Sequence, residues 1–87
     1  MQFEIRDDGD YRIHAGSLET REGQGHLAAV IVGRVASGRS DAREIFRDTA
    51  ISGGHRWPTS GEALQRALSM GVKAVDAERA RVAARES

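Results

Sequence analysis

The side chains of this 87-residue chain that could do chemistry are three histidines, a cluster of aspartates, a glycine pair beside a His-Arg step, and twelve arginines. A three-histidine zinc site needs its imidazoles to converge. His14 falls on a predicted strand, His26 opens another, and His55 sits in a loop. Their spacing fits no ligand pattern, so surface or turn histidines are the expectation, with no metal. The chain has no Cys, which removes disulfides, thiolate metal sites and cysteine nucleophiles. Asp7, Asp8 and Asp10 surround Gly9 in the manner of a calcium loop. Counted from Asp8, Glu19 takes the twelfth position, but Ile13 stands where that loop needs its glycine. A solvated hairpin turn is the better reading.

Gly53-Gly54-His55-Arg56 precedes a helix start, where backbone N–H groups favour anions. It lacks the phosphate-loop lysine and spacing. Glu62 also places a negative charge in the first helical turn, so a flexible connection is expected. Ser37, Ser40, Ser52 and Ser60 lie in loops or caps with no base that spacing could bring to them. We expect no catalysis and no cofactor. Arg12, Arg34, Arg43 and Arg47 lie on predicted strands and are the candidate nucleic-acid contacts. Sheets that read nucleic acid carry stacking aromatics. Here Glu44 and Asp48 neutralise part of the same strand as Arg43 and Arg47, so a charge-mixed, solvated sheet face is favoured.

These residues need elements to position them. Phe3 and Ile5 alternate with polar neighbours, as do Tyr11 and Ile13, on either side of the Asp7–Asp10 turn. That predicts a hairpin of residues 2–6 and 11–15, the second strand continuing to about Thr20. Alternatively, the first segment is only an edge extension. A turn at Glu22-Gly23-Gln24-Gly25 leads into the clearest strand, His26 to Ala36. It is apolar on both faces, with Leu27, Ala29 and Ile31 on one and Ala28, Val30 and Val32 on the other. A loop at 37–41 precedes a fourth strand, Ala42 to Ile51, with Ile45 and Phe46 on opposite faces.

A helix then begins sharply. Pro58 disfavours helix at Trp57, and Thr59 with Glu62 three residues on forms a capping box. Leu64, Ala67, Leu68, Gly71, Val72 and Val75 share one helical arc. Gly71 in that stripe implies close helix–sheet approach, with Trp57 or Phe46 filling the room it leaves. The expected helix covers residues 59–80, and a frayed tail covers 81–87.

The strand order followed by one helix is similar to the double-stranded RNA-binding domain without its first helix. The helix Gly61-Glu62-Ala63-Leu64-Gln65-Arg66-Ala67-Leu68 lacks that family's Lys-rich start, so its phosphate contacts are not carried over. The chain more closely resembles small uncharacterised bacterial β-β-β-α proteins that end in a Thr-x-x-Glu-Ala-Leu helix with a mid-helix Gly. Thr59–Leu64, Gly71 and Asp76 carry that likeness, which implies a fold and no activity.

Composition sets the limits. Ile, Leu, Val and Phe account for 17 of 87 residues, so the core is small and a dimer that completes it is favoured. Thirteen basic residues balance thirteen acidic ones, which argues against a general electrostatic grip on nucleic acid. The longest apolar run, Leu27 to Gly33, is too short for a bilayer, and residues 1–8 do not form a signal peptide. A cytoplasmic protein is the expectation.

The fold class is therefore α+β, a single domain. A three- to four-stranded antiparallel sheet over about 2–51 carries one long C-terminal helix on one face. One helix covers one face, so the other stays open. We take Ala28, Val30 and Val32 as the candidate interaction face, with Leu27, Ala29 and Ile31 as the alternative, serving self-association or another protein.

Overall fold

The computed structural model describes residues 2–21, 23–35 and 42–86. Four strands, β1 (Gln2–Asp8), β2 (Tyr11–Glu19), β3 (His26–Val35) and β4 (Ala42–Asp48), form an antiparallel meander in the order β1-β2-β3-β4. A single turn, α1 (Ile51–Gly54), leads to the long helix α2 (Ser60–Glu86). The expected α+β fold is present, and β1 joins the sheet along its whole length, from Gln2↔Ser17 to Asp8↔Tyr11.

Each strand forms where alternation or β-branching favours it, and register decides which side is dry. In β2, Tyr11, Ile13, Ala15 and Ser17 are buried. Across the ladder Ile13 pairs with Val32, Ala15 with Val30 and Ser17 with Ala28. These six side chains make the floor on which α2 lies, together with Tyr11 at one end. The register is held by the loop after β2. Thr20 Oγ1 accepts the Gln24 N–H at 2.9 Å, and the Thr20 N–H donates to the Gly25 carbonyl at 3.1 Å. Gly25 has φ +91°, and a Cβ there would meet the Trp57 carbonyl oxygen at 2.9 Å. His26 and Trp57 exchange both backbone hydrogen bonds at 2.8 Å, which ties the helix approach to the start of β3.

The helix start follows its sequence signal. Thr59 Oγ1 accepts the Glu62 N–H at 3.1 Å, the serviceable half of a capping box. The buried stripe is Ala63, Ala67, Leu68, Gly71 and Val75, whereas Val72 lies at its rim and is exposed. Small residues along the stripe let the helix sit low on the sheet. At Gly71 a Cβ would fall 2.5 Å from Ile13 Cγ2 and 3.2 Å from Val30 Cγ2. The close approach that Gly71 implied is therefore present, but Ile13 and Val30 fill the space, not Trp57 or Phe46.

Two elements depart from expectation. The fourth strand stops at Asp48, whose Oδ1 accepts the Ala50 N–H at 3.1 Å and turns the chain. Ile51 is thereby a fully buried plug instead of a strand residue. In β4 the register shifts between Val32 and Gly33, a bulge that brings both Ile45 and Phe46 toward the helix side. At the other end α2 continues to Glu86, past the point where composition predicts fraying. Arg79 holds this extension. Its Nη2 donates to the Asp8 carboxylate at 3.0 Å and the Asp8 carbonyl at 3.1 Å, and its guanidinium lies 5.5 Å from the Tyr11 ring centroid.

Gly71 and Gly61 make opposite predictions. Alanine at either improves helix propensity by about 1 kcal/mol. At Gly71, overpacking against the stiff, buried Ile13 costs about 1–3 kcal/mol. Gly71→Ala is expected to lose about 1 kcal/mol net, roughly 4–8 °C in Tm. Gly61→Ala, with only Thr59 Oγ1 near its new Cβ at 3.9 Å, is expected to raise Tm. Circular-dichroism melting of both variants reads the two signs.

Candidate interaction face

The face of the sheet away from α2 is set by the same parity. On it β1 places Phe3, Ile5 and Asp7; β2 places Arg12, His14, Gly16 and Leu18; β3 places Leu27, Ala29, Ile31 and Gly33. Phe3 is 64% exposed, Ile5 55% and Leu18 37%. Leu27, Ala29 and Ile31 are half-buried beside them. Phe3 stands edge-on to His14, with ring centroids 6.5 Å apart. Between Phe3, His14, Leu18, Ala29 and Ile31 lies a shallow apolar depression of about 170 Å³ over Gly16.

The candidate set Ala28, Val30 and Val32 is thus corrected. All three are buried under α2, because Ala28, Val30 and Val32 pair with Ser17, Ala15 and Ile13 on the helix side. The open face belongs to the alternative, Leu27, Ala29 and Ile31. The exposed side chains that dominate it, Phe3, Ile5 and Leu18, were not in either set. Their signal was present in the alternation of β1, but only the β1–β2 register shows that they continue the β3 patch.

The open face divides into two halves. Its apolar half runs from Ile5, His14 and Ile31 to Leu18 and Leu27. Its charged half holds Asp7 and Arg12, register partners joined at 2.7 Å. The hydrogen bond from Arg12 holds the Asp7 carboxyl below its ordinary range, with the Arg12 charge and then His14 adding to it. On the β4 side Arg47 bonds Glu44 at 2.8 Å. Residues three apart on a regular strand point to opposite faces, and it is the bulge that turns Glu44 and Arg47 to the same side. Among the described residues the strands of this face carry paired charges of both signs that balance.

The four candidate arginines do not form one stripe. Arg12 and Arg47 lie on the open face, each paired with a carboxylate. Arg34 and Arg43 lie on the helix side, directly opposite each other in the β3–β4 ladder. They line a groove of about 340 Å³ with Arg81 and Arg85 of α2, which Glu44 borders at the β4 edge and Glu78 lines from α2. Of these, Glu78 is bonded to Arg81. Sequence spacing does not connect residues 34 and 43 to 81 and 85; the length of α2 does.

His14 is on the open face, His26 begins β3, and His55 stacks edge-on against Trp57 at 4.6 Å. Among the described residues, no group of three or more His, Cys, Asp or Glu side chains gathers around one point. Arg56, in the stretch considered for anions, donates to Gln24 Oε1 at 2.8 Å. A concavity of about 750 Å³ runs beside Trp57 and the first turns of α2, but its polar side chains, such as Glu62, Gln65 and Arg66, are all exposed. Among the described residues, no helix is long and apolar enough to cross a membrane. The chain matches no protein-family description, no curated protein sequence and no solved structure.

Arg34 and Arg43 make a like-charge cross-strand pair, which destabilises a sheet. Arg43→Glu turns repulsion into attraction and is expected to raise stability by about 0.5 kcal/mol, roughly 2–4 °C in Tm. Thermal unfolding of the variant beside the parent checks the direction.

Proposed function

We propose that this protein is a non-catalytic protein-interaction or regulatory module that works through its open sheet face and associates with itself. One observation carries the reading. Phe3, Ile5 and Leu18 are exposed side by side with Leu27, Ala29 and Ile31, and among the described residues no element covers them. Contiguous exposed apolar surface on a small domain marks an interaction site. The sparse core points the same way, since burying this face adds what the fold itself lacks. The balanced charges of the face favour a partner with no strong net charge, which a second copy satisfies.

Size-exclusion chromatography with light scattering tests this. The mass is expected to rise above the 9.4 kDa of one chain as concentration increases. Phe3→Ser/Ile5→Ser, which alters only exposed side chains, is expected to return it to a monomer with unchanged circular dichroism. A parent protein that stays monomeric at high micromolar concentration removes the proposal.

A second reading, nucleic-acid binding, is favoured by one observation: four arginines share the groove at the end of α2. Phosphates there would relieve the repulsion between Arg34 and Arg43. On this reading the protein is retained on heparin in a salt-dependent way, and Arg43→Glu/Arg85→Glu elutes earlier. Elution of the parent at low salt dismisses it.

A further inference from the structure

We infer that a second copy of this chain pairs along β1, antiparallel and centred on Ile5, so that two four-stranded sheets become one sheet of eight strands. This rests on the self-association proposed above but seats it at the β1 edge, so the two open faces are joined side by side and stay available to a further partner.

The two edges of the sheet differ. β4 is blunted by the bulge between Val32 and Gly33. β1 carries charged side chains, one of the devices that protect an edge, but those at Glu4 and Arg6 are of opposite sign and already bonded to each other. It runs seven residues in unbroken register with β2, with no Pro, Gly or bulge, and no described strand lies beyond it. Gln2 directs its N–H toward β2, at Ser17 Oγ. Alternation along the strand turns the N–H and C=O groups of Phe3, Ile5 and Asp7 outward. They form a row of donors and acceptors ready for another strand.

The side chains select the partner and the register. A register that keeps both helices on one side also joins the two apolar open faces. Centring the pairing on Glu4 sets Glu4 against Glu4 of the second copy. Centring it on Arg6 sets Arg6 against Arg6, and Glu4 against Asp8. Both place like charges directly opposite. Centring it on Ile5 sets Glu4 against Arg6 of the second copy and, by the two-fold, Arg6 against Glu4. These two side chains already bond within β1 at 2.8 Å on the helix side, so the dimer gathers four alternating charges. On the open side Ile5 meets Ile5, and each Phe3 lies diagonal to the other copy's Ile5, within reach of an aromatic ring. Each Phe3 stands directly opposite Asp7 of the second copy, so the complementarity of this register lies in the Glu4–Arg6 charges and the Ile5 pair.

Sedimentation velocity on four proteins tests the geometry: the parent, Glu4→Arg, Glu4→Arg/Arg6→Glu, and Leu18→Glu. Glu4 and Arg6 are solvent-exposed, so the monomer tolerates their exchange. Glu4→Arg puts arginine opposite arginine twice per dimer and is expected to weaken association about tenfold. The double exchange restores the alternating charges and is expected to recover the parent affinity. Leu18 lies on the open face beyond the start of β1 and outside the edge contact, so edge pairing predicts no change in Leu18→Glu, whereas pairing through the faces predicts loss of the dimer. A dimer weakened by Leu18→Glu and indifferent to Glu4→Arg overturns edge pairing while self-association stands, through the faces. Failure of the double exchange to restore a dimer lost in Glu4→Arg overturns the register. A monomeric parent overturns both the geometry and the association on which it rests.

Discussion

The structure depends on how closely α2 lies on the sheet. Ala63, Ala67 and Gly71 present almost no side chain to the strands, and at Gly71 the methyl of Ile13 occupies the place of a Cβ. A helix this low makes van der Waals contact through backbone as well as side chains, so a short apolar inventory still fills the interior. The approach requires β-branched residues on the floor below it. Ile13, Val30 and Val32 supply them, stiff at χ1 and shaped to the pleat. Widening any part of this contact leaves a void that so small a core has no other residues to fill.

From that contact the rest of the molecule takes its parity. Once Ile13 and Val30 point to the helix, His14 and Ile31 must point away, because strand side chains alternate. The open face is the remainder left by the helix, and its apolar half is the cost of building β3 from residues that are apolar on both sides. The bulge in β4 breaks the alternation once. It sends Ile45 and Phe46 together toward α2 and leaves Glu44 and Arg47 as a bonded pair on the open side.

The far half of α2 is held by a different interaction. Beyond Val75 the helix has few apolar residues to bury, and Arg79 takes over by reaching Asp8 and the Tyr11 ring. This anchor is partly exposed and therefore modest in strength, as surface ion pairs are. It is enough to direct helical sequence that already favours the conformation. By extending the helix over the end of the sheet, it brings Arg81 and Arg85 to Arg34 and Arg43 and concentrates positive charge at one end of a chain that is neutral overall.

Local signals along the chain laid down the elements: three or four strands and then a helix, the turn at Asp7–Asp10, the Thr59 cap and the close approach at Gly71. Each is a local signal, carried by alternation, capping chemistry or a residue whose cost inside a helix needs a reason. Where β4 ends and where α2 ends were not legible, because Asp48 capping a turn and Arg79 reaching Asp8 act only once the chain is folded. The open face was decided by tertiary structure alone. Ala28, Val30 and Val32 and their neighbours Leu27, Ala29 and Ile31 are equally apolar, so β3 holds no record of which side the helix takes. The loop from Thr20 to Gly25 sets the β2–β3 register, and a shift of one residue would have exchanged the two faces.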